Sequence, residues 1–341
     1  MLGATPARRP LGLSSSSACT EFPHVAHPLS LKGIIPAFPT PIRPDHSVDI
    51  EGVRRLVRYM IDNGASGVVP LGGTGEFTAL SAKARIETVG ASVAAAAGKV
   101  PVVAGVLSPG LGDAVDTGKS FKEAGADALM LIVPFYTRNS QEGVLRYFAE
   151  VREAVDLPIV LYDNPARTHF VIAPETIATM AKRDIIIGMK ASNTDLYHFD
   201  HVMQKVPATF QMLSGQDTLF TQQVSMGARG GILTSAVLVP SFWNEVQVHA
   251  KGGRFDDALA LQRRLCPLMD ALFSEENPGP TRLALGMIGL DPGGSLPPLG
   301  AVSEGLGTRL LGILRELHSA GTLPVKPVAS SPATLSPAAA S

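Results

Sequence analysis

Between residues 31 and about 253 the chain alternates short apolar runs with longer amphipathic stretches. The apolar runs are Gly33–Phe38, Gly67–Leu71, Val100–Val106, Ala128–Val133, Ile159–Tyr162, Ile185–Lys190, Phe210–Ser214 and Gly231–Ser235. They are short and apolar, and Ile185–Lys190 in particular sets three β-branched isoleucines in a row, the pattern of a buried strand. The stretches between them have helical spacing: Asp49–Asp62, Ser81–Ala97, Asp113–Glu123, Ser140–Val155, Pro174–Met180, Asp195–Val206 and Asp217–Met226, with Ser241–Lys251 after the last strand. Asp49 and Ser81 stand where helix caps belong. Asn63-Gly64-Ala65, Ala124-Gly125-Ala126 and Met226-Gly227-Ala228 each close a helix and precede a strand. Glycine there adopts the left-handed conformation that stops a helix.

Eight strand–helix units predict an α/β fold of the (β/α)8 TIM-barrel class. An open doubly wound sheet is the rival, but it seldom needs eight evenly spaced units. Phe255–Phe273, Thr281–Ile288 and Glu304–Leu317 read as further helices, the first two separated by Pro278 and Pro280. The expected division is an extension over 1–30, a barrel over 31–253, a small C-terminal helical region over 254–320 and a disordered tail over 321–341. The extension carries Arg8, Arg9, a serine run and no acid before Glu21. It reads as a disordered segment, with an organelle transit peptide as the alternative.

Composition narrows the function classes. Of 341 residues, 45% are apolar and the formal net charge is −1, so neither nucleic acid nor an anionic membrane is expected as a partner. No apolar run reaches the ~20 residues of a membrane helix. The two cysteines, Cys19 and Cys266, provide no disulfide framework. A cytoplasmic protein is the expectation.

In a barrel, chemistry gathers at the carboxyl ends of the strands. The sixth strand ends in Lys190. A lysine there is either a surface-reaching side chain on an apolar stem or an amine whose burial favours its neutral, nucleophilic form. The second strand ends in Gly72-Gly73-Thr74-Gly75-Glu76, either a tight turn or a backbone cradle for a carboxylate or phosphate, with the Thr74 hydroxyl as an added donor. The fourth ends in Pro134-Phe135-Tyr136 and the fifth in Tyr162-Asp163-Asn164-Pro165-Ala166-Arg167. A phenol at a strand end can relay a proton, and the arginine fork suits a carboxylate; each could equally be a core-edge or surface residue. The seventh ends in Ser214-Gly215-Gln216-Asp217 and the eighth in Ile232-Leu233-Thr234-Ser235. An amine, phenols, a carboxylate-binding turn and an arginine on one rim equip a site for imine chemistry on a 2-oxo acid.

Other patterns carry less. Gly112…Gly118-Lys119-Ser120 has one residue too many between its glycines for a phosphate-binding loop and lies in a helical stretch. His198 and His201 are three apart without an evident third ligand, which reads as a solvated pair. His24 and His27 fall in the extension.

Taken together, GIIPAFPTP, GGTGE, VPFYTRNSQEG, YDNPAR, IIGMKAS, LSGQD and ENPGP resemble the dihydrodipicolinate synthase/N-acetylneuraminate lyase family, from about Leu31 to Leu317. The resemblance implies a Schiff-base lyase built as a homodimer or homotetramer, with no metal and no organic cofactor. It implies that Lys190 forms an imine with the keto carbon of pyruvate or a 2-keto-3-deoxy acid, and that Tyr162 passes protons. Gly73 and Thr74 would bind the carboxylate of the small 2-oxo acid. Tyr136 would be offered across a dimer interface, Arg167 would hold the second substrate's carboxylate, and the Ile232 backbone would border the pyruvate. One departure stands out. Synthases carry GTTGE and lyases GSTGE, so Gly73 lacks the relay hydroxyl. GGTGE is closer to 5-dehydro-4-deoxyglucarate dehydratases, whereas YDNPAR is closer to the synthases. A dehydratase using the same lysine, and a 2-oxo acid sensor without turnover, therefore stand as alternatives.

Overall fold

The computed structural model describes residues 29–329. Arg8, Arg9, Cys19, His24 and His27 lie outside the described residues, as do positions 1–28 of the extension and 330–341 of the tail. Seven parallel strands form one sheet: β1 Gly33–Pro36, β2 Val103–Val106, β3 Ala128–Ile132, β4 Ile159–Asp163, β5 Gly188–Ala191, β6 Gln211–Ser214 and β7 Gly230–Leu233. The order is β1-β7-β6-β5-β4-β3-β2. Every strand residue is buried, as expected when helices cover one face and the sheet's curl encloses the other.

The expected strand Gly67–Leu71 is reduced to two parallel bridges, Val69 with Ala37 and Val68 with Val102. These nonetheless join the two edges of the sheet. Val69 N donates to Pro36 O at 2.9 Å, and Val68 N to Pro101 O at 3.0 Å. The reason for the short run is local. Pro70 has no N–H to give, and Leu71 turns out of extended geometry at φ +62°. The result is a TIM-barrel-like α/β fold.

Helices alternate with the strands as the periodicity predicts. Ser81 and Ser140 cap theirs, accepting from Ala84 N at 3.2 Å and Gly143 N at 3.1 Å. Asp49 precedes the helix Ile50–Asp62 without capping it, because its carboxylate is turned to Arg43 and Arg55. Gly64, Gly125 and Gly227 take positive φ of +91°, +91° and +110°, as their helix-closing positions require. The stretch Phe255–Phe273, expected as one helix, is two: Phe255–Arg264 and Cys266–Leu272. Pro267, overlooked as a breaker, sits in the first turn of the second. Further helices run over Gly279–Met287 and Glu304–Ser319. Among the described residues, no helix is long and apolar enough to cross a membrane.

Candidate active site

Strands β4 and β5 bring Tyr162 and Lys190 side by side. The two residues are register partners, so their side chains leave the sheet on the same face. Both are buried, at 8% and 6% exposure, and the Lys190 Nζ lies 4.4 Å from the centroid of the Tyr162 ring. The surface-reaching reading of the lysine therefore does not hold. The Tyr162 hydroxyl accepts from Asn164 Nδ2 at 3.0 Å, which leaves the phenolic proton to be given elsewhere.

Beyond β6, the Asp217 carboxylate accepts from Ser235 N at 2.7 Å and Thr234 N at 3.2 Å. Complete burial raises its pKa. The Ser235 and Thr234 hydrogen bonds oppose that shift, and so does the positive charge of Lys190. A buried acid thus stands within electrostatic reach of the candidate nucleophile.

The Gly72–Glu76 turn is held by Gly75 N to Gly72 O at 3.0 Å and Glu76 N to Gly73 O at 3.2 Å. Among the described residues the N–H groups of Gly73 and Thr74 donate to no acceptor, so they are available to an anion. Thr74 is buried. Its hydroxyl lies 3.2 Å from that of Thr234 and accepts from Asn277 Nδ2 at 3.1 Å. Gly73 is exposed, and a Cβ built on it would meet nothing within 4 Å. Glu76, buried at left-handed φ +53°, forms a buried ion pair with Arg282, whose Nε donates to Glu76 Oε2 at 2.9 Å. Arg282 also donates to Thr40 O at 2.7 Å and Pro292 O at 2.8 Å. Burial lowers the Arg282 pKa and the Glu76 carboxylate opposes that shift.

The other candidates are dispersed. Arg167, in the short helix Pro165–Thr168, points to Glu276 at 3.5 Å, with side chains 64% and 67% exposed. Ile232 is buried on β7, two residues before Thr234. Tyr136 is 88% exposed and makes no hydrogen bond to the other candidates among the described residues.

Asp163 follows Tyr162 but faces the opposite side of the sheet. Its carboxylate is buried and makes no hydrogen bond. Burial pushes its pKa up to about 6, with His198 opposing. His198 is buried rather than solvated. Its Nε2 lies 2.8 Å from Ile172 O. The His201 ring instead lies 4.0 Å from that of Tyr197, so the two histidines do not form a solvated pair.

Reading strand ends alone assigned no role to Asp217 or Thr234 and missed Glu276, Asn277 and Arg282. Asn277 and Arg282 come from a segment about 200 residues beyond the turn they touch, Glu276 meets Arg167 instead, and the ENPGP motif, which holds Glu276 and Asn277 but stops short of Arg282, was the one local signal.

Comparison with known proteins bears on this arrangement. The model of the dihydrodipicolinate synthetase family matches residues 30–317. The 4-hydroxy-tetrahydrodipicolinate synthase of Nitrosococcus oceani is 37% identical over 272 residues, covering 80% of this chain and 93% of that protein. A crystallised dihydrodipicolinate synthase superposes with a TM-score of 0.80 at 34% identity, over 84% of this chain and 99% of its own. The chloride-inhibited synthase of Acinetobacter baumannii, solved in complex with pyruvate, superposes with a TM-score of 0.81 at 29% identity, over 86% and 100%.

Proposed function

Because the chain belongs to the dihydrodipicolinate synthetase family, we propose that it is a Schiff-base-forming lyase of the 4-hydroxy-tetrahydrodipicolinate synthase kind, acting on pyruvate through Lys190. The observation that carries this reading is the buried Lys190 amine 4.4 Å from the ring of its register partner Tyr162. The amine attacks the keto carbon, water leaves, and an imine forms. Loss of a proton from the adjacent methyl gives an enamine, which adds to an aldehyde. Tyr162 carries protons to and from the imine and the substrate. The Gly73 and Thr74 N–H groups and the Thr74 hydroxyl hold the carboxylate beside the Ile232 backbone. Arg167 receives the second substrate's carboxylate at the mouth, exchanging its Glu276 partner for it.

The relatives' names favour this chemistry over the dehydratase and the turnover-free sensor. We read the two bridges at Val68 and Val69 as the eighth stave of a (β/α)8 barrel spanning 31–253, followed by a helical region over 254–320. The exposure of Tyr136 supports a homodimer or homotetramer in which this phenol enters a neighbour's site. A fully active monomer in sedimentation would contradict that assembly.

The test is reduction with borohydride in the presence of pyruvate, followed by intact mass. The wild type should gain one reduced pyruvyl group. Lys190→Ala and Lys190→Arg should gain none, because a guanidinium stays protonated. An adduct that survives both substitutions removes Lys190 from the chemistry.

A further inference from the structure

We infer that Asn277 is a positioning residue that fixes the direction of the Thr74 hydroxyl, making it a proton donor toward the carboxylate of the 2-oxo acid; the inference rests on the proposed function.

Hydrogen-bond polarity sets the direction of this hydroxyl. An amide nitrogen only donates, so the 3.1 Å contact from Asn277 Nδ2 makes the Thr74 oxygen an acceptor. Thr234 Oγ1, at 3.2 Å, is the second hydroxyl on that oxygen. A threonine hydroxyl holds one proton and two acceptor sites. The Thr234 hydroxyl has no other acceptor among the described residues, so we assign it as the donor in this contact; with the amide on the other site, the Thr74 proton is left to point away from both. A carboxylate held by the Gly73 and Thr74 N–H groups is the acceptor it would meet, and bonds to an ionised acceptor are the stronger kind. Each donor upstream also polarises the one after it.

The backbone around Asn277 is fixed on both sides, while its side-chain Oδ1 is buried without a hydrogen-bond partner among the described residues. Gly279 N donates to Glu276 O at 3.0 Å and Arg282 N to Pro278 O at 2.9 Å, shaping the backbone on either side. Five residues on, Arg282 grips Glu76, two residues past Thr74. The 277–282 segment thus meets the 74–76 turn at two points, one ionic and one through the amide. Gly73 contributes no side chain here, so the orientation of the hydroxyl falls to Asn277 and Thr234. Asn277 need not touch the substrate; it acts through Thr74.

The test measures the pyruvate concentration that half-saturates borohydride-trapped adduct, and compares it with methyl pyruvate, which has the ketone but no carboxylate. Asn277→Ala should raise the half-saturating pyruvate concentration by about tenfold. Asn277→Asp, which offers a negative acceptor where a donor stood, should raise it further. Neither should move the value for methyl pyruvate by more than about twofold, and neither should lower the maximal adduct. In a Thr74→Ala background, adding Asn277→Ala should change nothing more, since the two side chains act as one unit. Equal losses for pyruvate and its ester, or full additivity with Thr74→Ala, would overturn the inference while leaving the proposed function standing. A wild type that traps neither ketone would overturn both. Melting temperatures of the four variants beside the wild type identify one that fails to fold, and the Asn277→Asp pair of ketones then decides.

Discussion

Tyr162 and Lys190 sit directly opposite one another on neighbouring parallel strands, the amine 4.4 Å from the ring centroid. Register alone produces this pairing. In a sheet of period two, facing partners share a side, and a shift of one residue would send one of them into the helix layer. The pair is therefore as rigid as the sheet that carries it.

Replacing Tyr162 with Phe keeps the ring over Lys190 and removes the hydroxyl that Asn164 addresses. Turnover should fall by roughly 100-fold or more. Steady-state kinetics checks this, and unchanged turnover would exclude the phenol as the proton carrier.

Gly73→Thr introduces the hydroxyl that synthases carry at this position. A Cβ there has open space, so the melting free energy should stay within about 1 kcal/mol of wild type. Turnover with pyruvate should rise, by up to about tenfold, as one more proton-carrying group enters the site. Calorimetry and kinetics on the same preparation test both halves. A severe loss of stability would contradict the geometry of the turn.

Arg282→Met strips the buried Glu76 carboxylate of its counter-ion and of two strong hydrogen bonds. An uncompensated buried charge costs about 3–5 kcal/mol. Denaturant unfolding should show that loss, and the KM for pyruvate should increase because Glu76 ends the turn proposed to hold the carboxylate. A variant of native stability would contradict the importance of the Arg282–Glu76 pair.

Asp163 has its pKa shifted upward by burial, the opposite direction from a carboxylate held by hydrogen bonds or a counter-ion. Its folded pKa, about 6, lies above the ordinary value of 3.8, so the folded state binds more protons between those limits. Stability contributed by this group therefore declines as pH rises through that window, and the penalty is complete above it. Asp163→Asn should stabilise the protein at pH 7 by about 1–3 kcal/mol and give no gain near pH 3.5. Unfolding curves at the two pH values check the sign, and equal shifts at both would refute it.

Much of this architecture is written in local sequence. Apolar runs of four to seven residues located seven strands, and Ser81 announced its helix, whereas Asp49, read as a cap in the same way, makes no cap bond. Lys190 and Tyr162 were legible because strand ends in this fold class face one rim. What escaped is what depends on distance along the chain. Asn277 and Thr74 are 203 residues apart, and neither residue type signals the other. His198 looked exposed because a helix surface viewed alone does not reveal the Ile172 carbonyl that covers it. Pro267 and Pro70 acted by removing an N–H, an effect that an apolar-periodicity reading passes over.

The bridge pair at Val68 and Val69 has a dynamic consequence. A wall that is four or five residues deep elsewhere is two residues deep where its margins meet, and the Gly72–Glu76 turn begins just beyond. In deuterium exchange those two amides should open earlier than the amides of β3 to β5, giving that turn a freedom to breathe that the Tyr162–Lys190 side of the sheet does not share.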